Sequence, residues 1–171
     1  KLGMRSSATG EVVLDNCRVG AEALLGQEGE GFIDALRILD GGRISIAALS
    51  VGIAQGAFEA ALQYAKQRKQ FGRLIGEFQA LQHRASHLYS EVEIARAATI
   101  KAQQLLDAGA PSAELMASVA KAKVAKTARL AVQEGVQMHG GIGMTDEYDI
   151  GLYMKRDRAL AEFLGDAHFH A

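Results

Sequence analysis

Arg68-Lys69-Gln70-Phe71-Gly72 and, further along, Gln137-Met138-His139-Gly140-Gly141-Ile142-Gly143 carry the side chains best suited to gripping a polar ligand. The first stretch sets a planar guanidinium, which can bridge two phosphate oxygens, beside an aromatic ring able to cover an apolar ring system. The second sets an amide beside bare glycine backbone, a pairing that suits ribose and adenine. Each has a plainer reading: an arginine at a helix C-terminus answers the macrodipole, and glycines end helices. Both stretches sit where a long alanine-rich helical pattern stops. The remainder reads as scaffold that brings the two loops into register, within one chain or between copies of it.

Other chemistry-bearing residues form no comparable set. His83 and His87 lie one helical turn apart, as zinc ligands do, but no third ligand follows and the intervening glutamate of a metalloprotease is missing, so packing at a surface or interface is the expectation. His168 and His170 sit two apart at the tail. Ser6, Ser7 and Ser45 lack a nucleophile-elbow context. Cys17 stands alone, which excludes a disulfide framework and makes a reducing cytoplasm the simplest compartment. The net charge of -1 on 171 residues gives no basic footprint for nucleic acid and no polybasic membrane anchor. No signal peptide and no apolar run of membrane-spanning length are expected. Hydrophobic residues at 49 % and charged residues at 23 % describe a folded chain able to bury a core. Residue 1 enters mid-pattern, which suggests an excised piece of a longer protein.

Positioning these loops falls to helices. Residues 1–28 differ from the rest: Glu11 to Val19 is rich in β-branched residues and predicts a strand or two. Gly26 to Gly31 is a glycine-punctuated connector. From Gly31 the period becomes helical, with Gly41-Gly42 expected to break or tighten the run. Long helices are predicted over about 43–67, 79–108 and 112–138, each with apolar residues at spacings of three and four. Pro111, the only proline, ends the second. A shorter helix is expected from Asp146 to about Phe163. Four helices with short connections predict an antiparallel four-helix bundle, mainly α, with a short β remnant at the N-terminus.

Taken together and in order, the motifs resemble the C-terminal half of the acyl-CoA dehydrogenases. The resemblance runs from Lys1 to about Asp157. It is carried by Lys1-Leu2-Gly3-Met4-Arg5-Ser6, Leu25-Gly26, Gly31-Phe32, Leu39-Asp40 with Arg43, the two loops above, Gln79, and Arg156-Asp157. It implies the end of a middle β-domain over residues 1–28, then the C-terminal helical domain over 29–171. It also implies FAD at a subunit interface of a homo-oligomer (dimer or tetramer), with Arg68 on the pyrophosphate, Phe71 at the adenosine and Gln79 helping to hold the dinucleotide. Gln137 and Gly141, with Gly140 beside them, would reach FAD from the neighbouring subunit. The implied reaction is α,β-dehydrogenation of an acyl-CoA thioester in fatty acid metabolism, with electrons passing to an electron-transferring flavoprotein.

The family's catalytic glutamate has no counterpart. Its two usual positions correspond to Gly165, counted from Arg156-Asp157, and to Gly42, just before Arg43. Asp166, one residue along, is the nearest carboxylate to serve as base, with Glu162 a weaker candidate; Arg43 supports that end of its helix. Two alternatives remain open: a flavin-dependent oxidase or monooxygenase of the same fold, or a non-catalytic helical oligomerisation module.

Overall fold

The computed structural model describes residues 2–171; the lysine that opens the Lys1-Leu2-Gly3 motif lies outside them. Four helices make the body: α1 (Gly31–Ala65), α2 (Gln79–Asp107), α3 (Ala113–His139) and α4 (Ile150–Glu162). α3 packs on the other three, most extensively on α1 and α2, so it is the central helix of the bundle. The packing surface is mostly alanine. Ala54 and Ala57 of α1, Leu88 and Val92 of α2, Ala128, Ala131 and Val132 of α3 and Ile150 of α4 form one buried cluster. Small side chains let helix backbones come close, which compensates for the little apolar area each alanine buries.

Three expectations are corrected. α1 runs unbroken through Gly41-Gly42 as a single 35-residue helix. Each glycine costs about 1 kcal/mol relative to alanine in a helix. At Gly42 that loss accompanies a close approach, because a Cβ there would sit 3.0 Å from Leu164 Cδ1. The strand expected over Glu11 to Val19 does not form: the segment is irregular and its side chains are exposed. A β-rich sequence needs a neighbouring strand for its backbone groups, and the described residues offer none there. The β-structure instead lies between α1 and α2, where β1 (Lys69–Gln70) pairs antiparallel with β2 (Arg73–Leu74). Finally, α1 is long and apolar enough to cross a membrane, contrary to the expectation of no such run. Its C-terminal half is a core helix of the bundle, with Ala47, Val51, Ala54, Ala57, Phe58 and Ala61 buried.

Candidate functional site

The hairpin that presents Arg68 and Phe71 is built from local rules. Register pairs Lys69 with Leu74 and Gln70 with Arg73, leaving Phe71-Gly72 as a two-residue turn. Both turn residues have positive φ, 53° and 79°, the pattern of a type I′ turn whose twist matches paired strands. Gly72 accepts this freely; Phe71 does not, and a bulky residue held in the left-handed region marks a strained position. The ring points outward, 91 % exposed, and meets Phe78 edge-on at 6.1 Å between centroids. The guanidinium of Arg73 lies 4.2 Å over the Phe78 ring. The Arg68 backbone anchors the loop, its N–H donating to the Tyr64 carbonyl and its carbonyl accepting from Ile75 N–H, both at 2.9 Å. No carboxylate pairs with the Arg68 side chain among the described residues.

The second loop arrives at the same place. Arg68, Gln70, Phe71 and Phe78 line one wall of a groove of about 560 Å³, and Gln137, His139, Gly140 and Gly141 line the other. Tyr64 and Arg84 complete it, the latter held by Glu134 at 2.6 Å. The expectation that Gln137 and Gly141 meet Arg68 only across a subunit boundary is therefore corrected: all lie on one groove of one chain. The reason is geometric. α1 and α3 pack along their length, so the turn after Ala65 and the turn after His139 come out at the same end of the bundle. Gln79, the first residue of α2, is exposed and stands outside the groove.

The three glycines of Gly140-Gly141-Ile142-Gly143 have different reasons to be glycine. Gly140 has φ +67°, which closes the helix end. At Gly143 a Cβ would fall 2.8 Å from the Val136 carbonyl oxygen. At Gly141 neither applies: φ is ordinary and a Cβ would meet nothing within 4 Å. The chain itself leaves room for a side chain there, and the vacancy opens on the groove.

His139, Tyr64 and Phe78 were not singled out from sequence. His139 is 6 % exposed, and its Nδ1 lies 2.7 Å from the Gly135 carbonyl oxygen. Tyr64 stacks on it at 4.4 Å between centroids, and Tyr148 meets it edge-on at 5.4 Å. A signal existed for Tyr64, since it lies in the last turn of the helix that leads into Arg68.

The candidate base positions form a second locus. A Cβ at Gly42 would sit 3.0 Å from Leu164 Cδ1, so the α1 base position faces the residue that precedes Gly165, the tail base position. Neither Gly42, Leu164 nor Gly165 carries a carboxylate. Asp166 sits otherwise: its Oδ1 accepts from Phe169 N–H at 2.8 Å and His168 N–H at 3.0 Å. The Phe169 N–H bond, helped by that of His168, holds its carboxyl below the usual value against the opposing effect of burial. It also opens onto a separate cleft between α3 and the tail, beside Lys126, Arg129 and Gln133. Glu162 forms a solvated pair with Arg158 at 3.4 Å. Arg43 pairs with Asp40 at 2.6 Å, and its Nε is buried without a partner.

Residues 29–170 match the family model described as acyl-CoA dehydrogenase, C-terminal domain. The chain belongs to the acyl-CoA dehydrogenase family. A probable acyl-CoA dehydrogenase of Bacillus subtilis, YngJ, is 45 % identical over 162 residues, which cover 95 % of this chain and 42 % of that protein. Butyryl-CoA dehydrogenase from Megasphaera elsdenii superposes with a TM-score of 0.83 at 35 % identity, covering 89 % of this chain and 39 % of that one. A chain solved under the description electron transferring flavoprotein of Acidaminococcus fermentans gives 0.86 at 39 % identity, with coverages of 92 % and 41 %. The chain thus spans about two fifths of the length of the relatives it matches.

Proposed function

We propose that this chain is the C-terminal portion of an FAD-dependent acyl-CoA dehydrogenase. On this reading its groove binds the adenosine and pyrophosphate part of the cofactor, and residues 2–28 belong to the end of a middle β-domain. The observation that carries the reading is the meeting of an unpaired Arg68, an outward Phe71 and an open Gly141 on one groove of one chain. Arg68 would take the pyrophosphate by charge-assisted hydrogen bonds, and Phe71 would cover the adenine. The Gln137 amide and the backbone at Gly140 and Gly141 would take the remaining polar atoms, the glycine allowing close approach. Gln79 would contribute only along the outer rim, given its place outside the groove. When bound, FAD supplies the hydride acceptor for the β-hydrogen of an acyl thioester whose α-proton goes to a carboxylate.

The substrate end would lie at the Gly42–Leu164 contact, where Arg43 and its Asp40 partner stiffen α1. That locus lacks a carboxylate in this chain, so the base would come from outside these residues. Asp166 keeps its side chain on the backbone and serves the tail turn. The same vacancy favours a second reading, a flavin-dependent oxidase or monooxygenase, which needs FAD but not this base. Acyl-CoA is the proposed substrate, a homo-oligomer the proposed assembly and an electron-transferring flavoprotein the proposed acceptor. Support for the acceptor comes from the likeness to the Acidaminococcus structure.

Anaerobic mixing of the full-length protein with a panel of acyl-CoAs separates the readings. Bleaching of the flavin band by at least one thioester is expected. A yellow protein that no acyl-CoA bleaches would overturn the dehydrogenase and favour the oxidase or monooxygenase.

A further inference from the structure

His139 is held more firmly than a helix-terminal residue requires. One ring face stacks on Tyr64 and an edge meets Tyr148, and Nδ1 is tied to the Gly135 carbonyl one turn back. Because a carbonyl only accepts, that contact places a proton on Nδ1. In the neutral ring Nε2 is then a bare acceptor. It has no hydrogen-bond partner among the described residues, and the ring, though buried, lines the groove. Nε2 is not shut off from solvent: it reaches the groove, where a ligand hydroxyl can replace water as its donor.

We propose that His139 is a cofactor-binding residue whose Nε2 accepts a hydrogen bond from a ribose hydroxyl of the adenosine seated in the groove. This rests on the reading that the groove holds FAD. The complementarity is specific. Arg68 offers only donors and suits the anionic phosphates, so a donor group on the ligand needs an acceptor, and the fixed imidazole presents one. Tyr64 and Tyr148 hold the ring in place before the ligand arrives, so little ordering cost falls on binding.

The test uses the full-length protein and two substitutions that divide the imidazole. His139→Asn keeps a group at the Nδ1 position, preserving the tie to Gly135, but removes the Nε2 atom. His139→Gln does the reverse. Titration of apoprotein with FAD and with its 2′-deoxy- and 3′-deoxyadenosine analogues reads both. His139→Asn should weaken FAD binding about fivefold, the worth of one ordinary hydrogen bond, and should abolish discrimination against one deoxy analogue. His139→Gln should retain most of the affinity and the discrimination. Equal losses in both variants, or discrimination that survives in His139→Asn, would overturn the proposal and leave His139 a packing residue. Arg68→Ala serves as the separate control. If it leaves FAD affinity unchanged, the groove reading itself fails; if it weakens binding while His139→Asn does not, only the proposal fails.

Discussion

At the scale of single residues, the exposed Arg68 and the half-buried Asp166 make opposite predictions. Arg68 spends no charge on the chain, so a ligand phosphate is its natural partner. Arg68→Ala in the full-length protein should weaken FAD about 10- to 100-fold, the range for charge-assisted bonds; equilibrium titration of the flavin absorbance checks it. Asp166 already spends its carboxylate on two N–H groups. Asp166→Asn preserves an oxygen acceptor for that cap, so acyl-CoA turnover should stay within about twofold of the parent. A loss of about a hundredfold or more in kcat with flavin retained would return the base role to it. Residue types at the groove were legible because they lie in two contiguous motifs. The occupation of Asp166 was not, since nothing in Gly165-Asp166-Ala167 announces a turn that folds back on it. The role open to His139 was hidden for a related reason, because its tautomer depends on a carbonyl one turn away and its burial on Tyr64 and Tyr148, 75 and 9 residues distant in sequence.

At the scale of elements, α4 and the tail are tied to α3 by one buried ammonium. Lys121 is 1 % exposed, and its Nζ donates to the carbonyls of Leu160, Ala161 and Gly165, the last at 2.8 Å. Burial pushes its pKa down, while Asp166, Glu162 and Asp157 pull it back up. Two of these carbonyls, Leu160 and Ala161, belong to the last turn of α4 and the third to the tail beyond it, so the lysine caps the helix and ties the tail to it. Lys121→Met leaves them buried and unpaired, and a destabilisation of about 2–3 kcal/mol is expected. Hydrogen exchange should quicken first at residues 160–166. Unchanged stability would show that water replaces the lysine. Asp157, also on α4, is buried with Oδ1 unpartnered, and burial raises its pKa to about 6 against weaker opposition from Arg129, Arg158 and Lys121. A carboxyl whose folded pKa lies above its ordinary value of 3.8 is proton-loving in the fold. Its ionisation therefore costs nothing below about pH 4 and its full penalty above about pH 6. Asp157→Asn should accordingly stabilise the protein at pH 7.5 relative to the parent by about 1–2 kcal/mol, and lose that advantage by pH 4. Denaturation midpoints at the two pH values test this; an advantage independent of pH would remove ionisation as the cause. The helices themselves were legible, since α2 and α3 begin and end within a residue or so of the positions set by periodicity, Pro111 and the glycines. Propensity misled at Gly41-Gly42, which α1 carries through as continuous helix, and at Glu11 to Val19, where a strand has nothing to pair with among the described residues.

At the scale of the whole molecule, the two ends of α1 behave differently. The C-terminal half is core, whereas Phe32, Ile33, Leu36, Ile38 and Leu39 remain exposed. So large an apolar face belongs against other protein, and the chain spans only about two fifths of its relatives. In the proposed enzyme that face is covered in the intact protein, beside the Gly42–Leu164 locus where the acyl thioester would enter. The groove lies at the far end of the same helix, after Ala65, so α1 would link cofactor and substrate ends. A sequence pattern shows that both loops exist but not that one chain closes them, which follows from α1 and α3 packing side by side. The most direct measurement exploits Gly141, the one loop glycine that the chain's own packing and backbone leave free. Gly141→Val in the full-length protein should purify colourless, with thermal stability and assembly like those of the FAD-free parent. A yellow Gly141→Val protein with one FAD per chain and unchanged affinity would contradict the groove as the cofactor site.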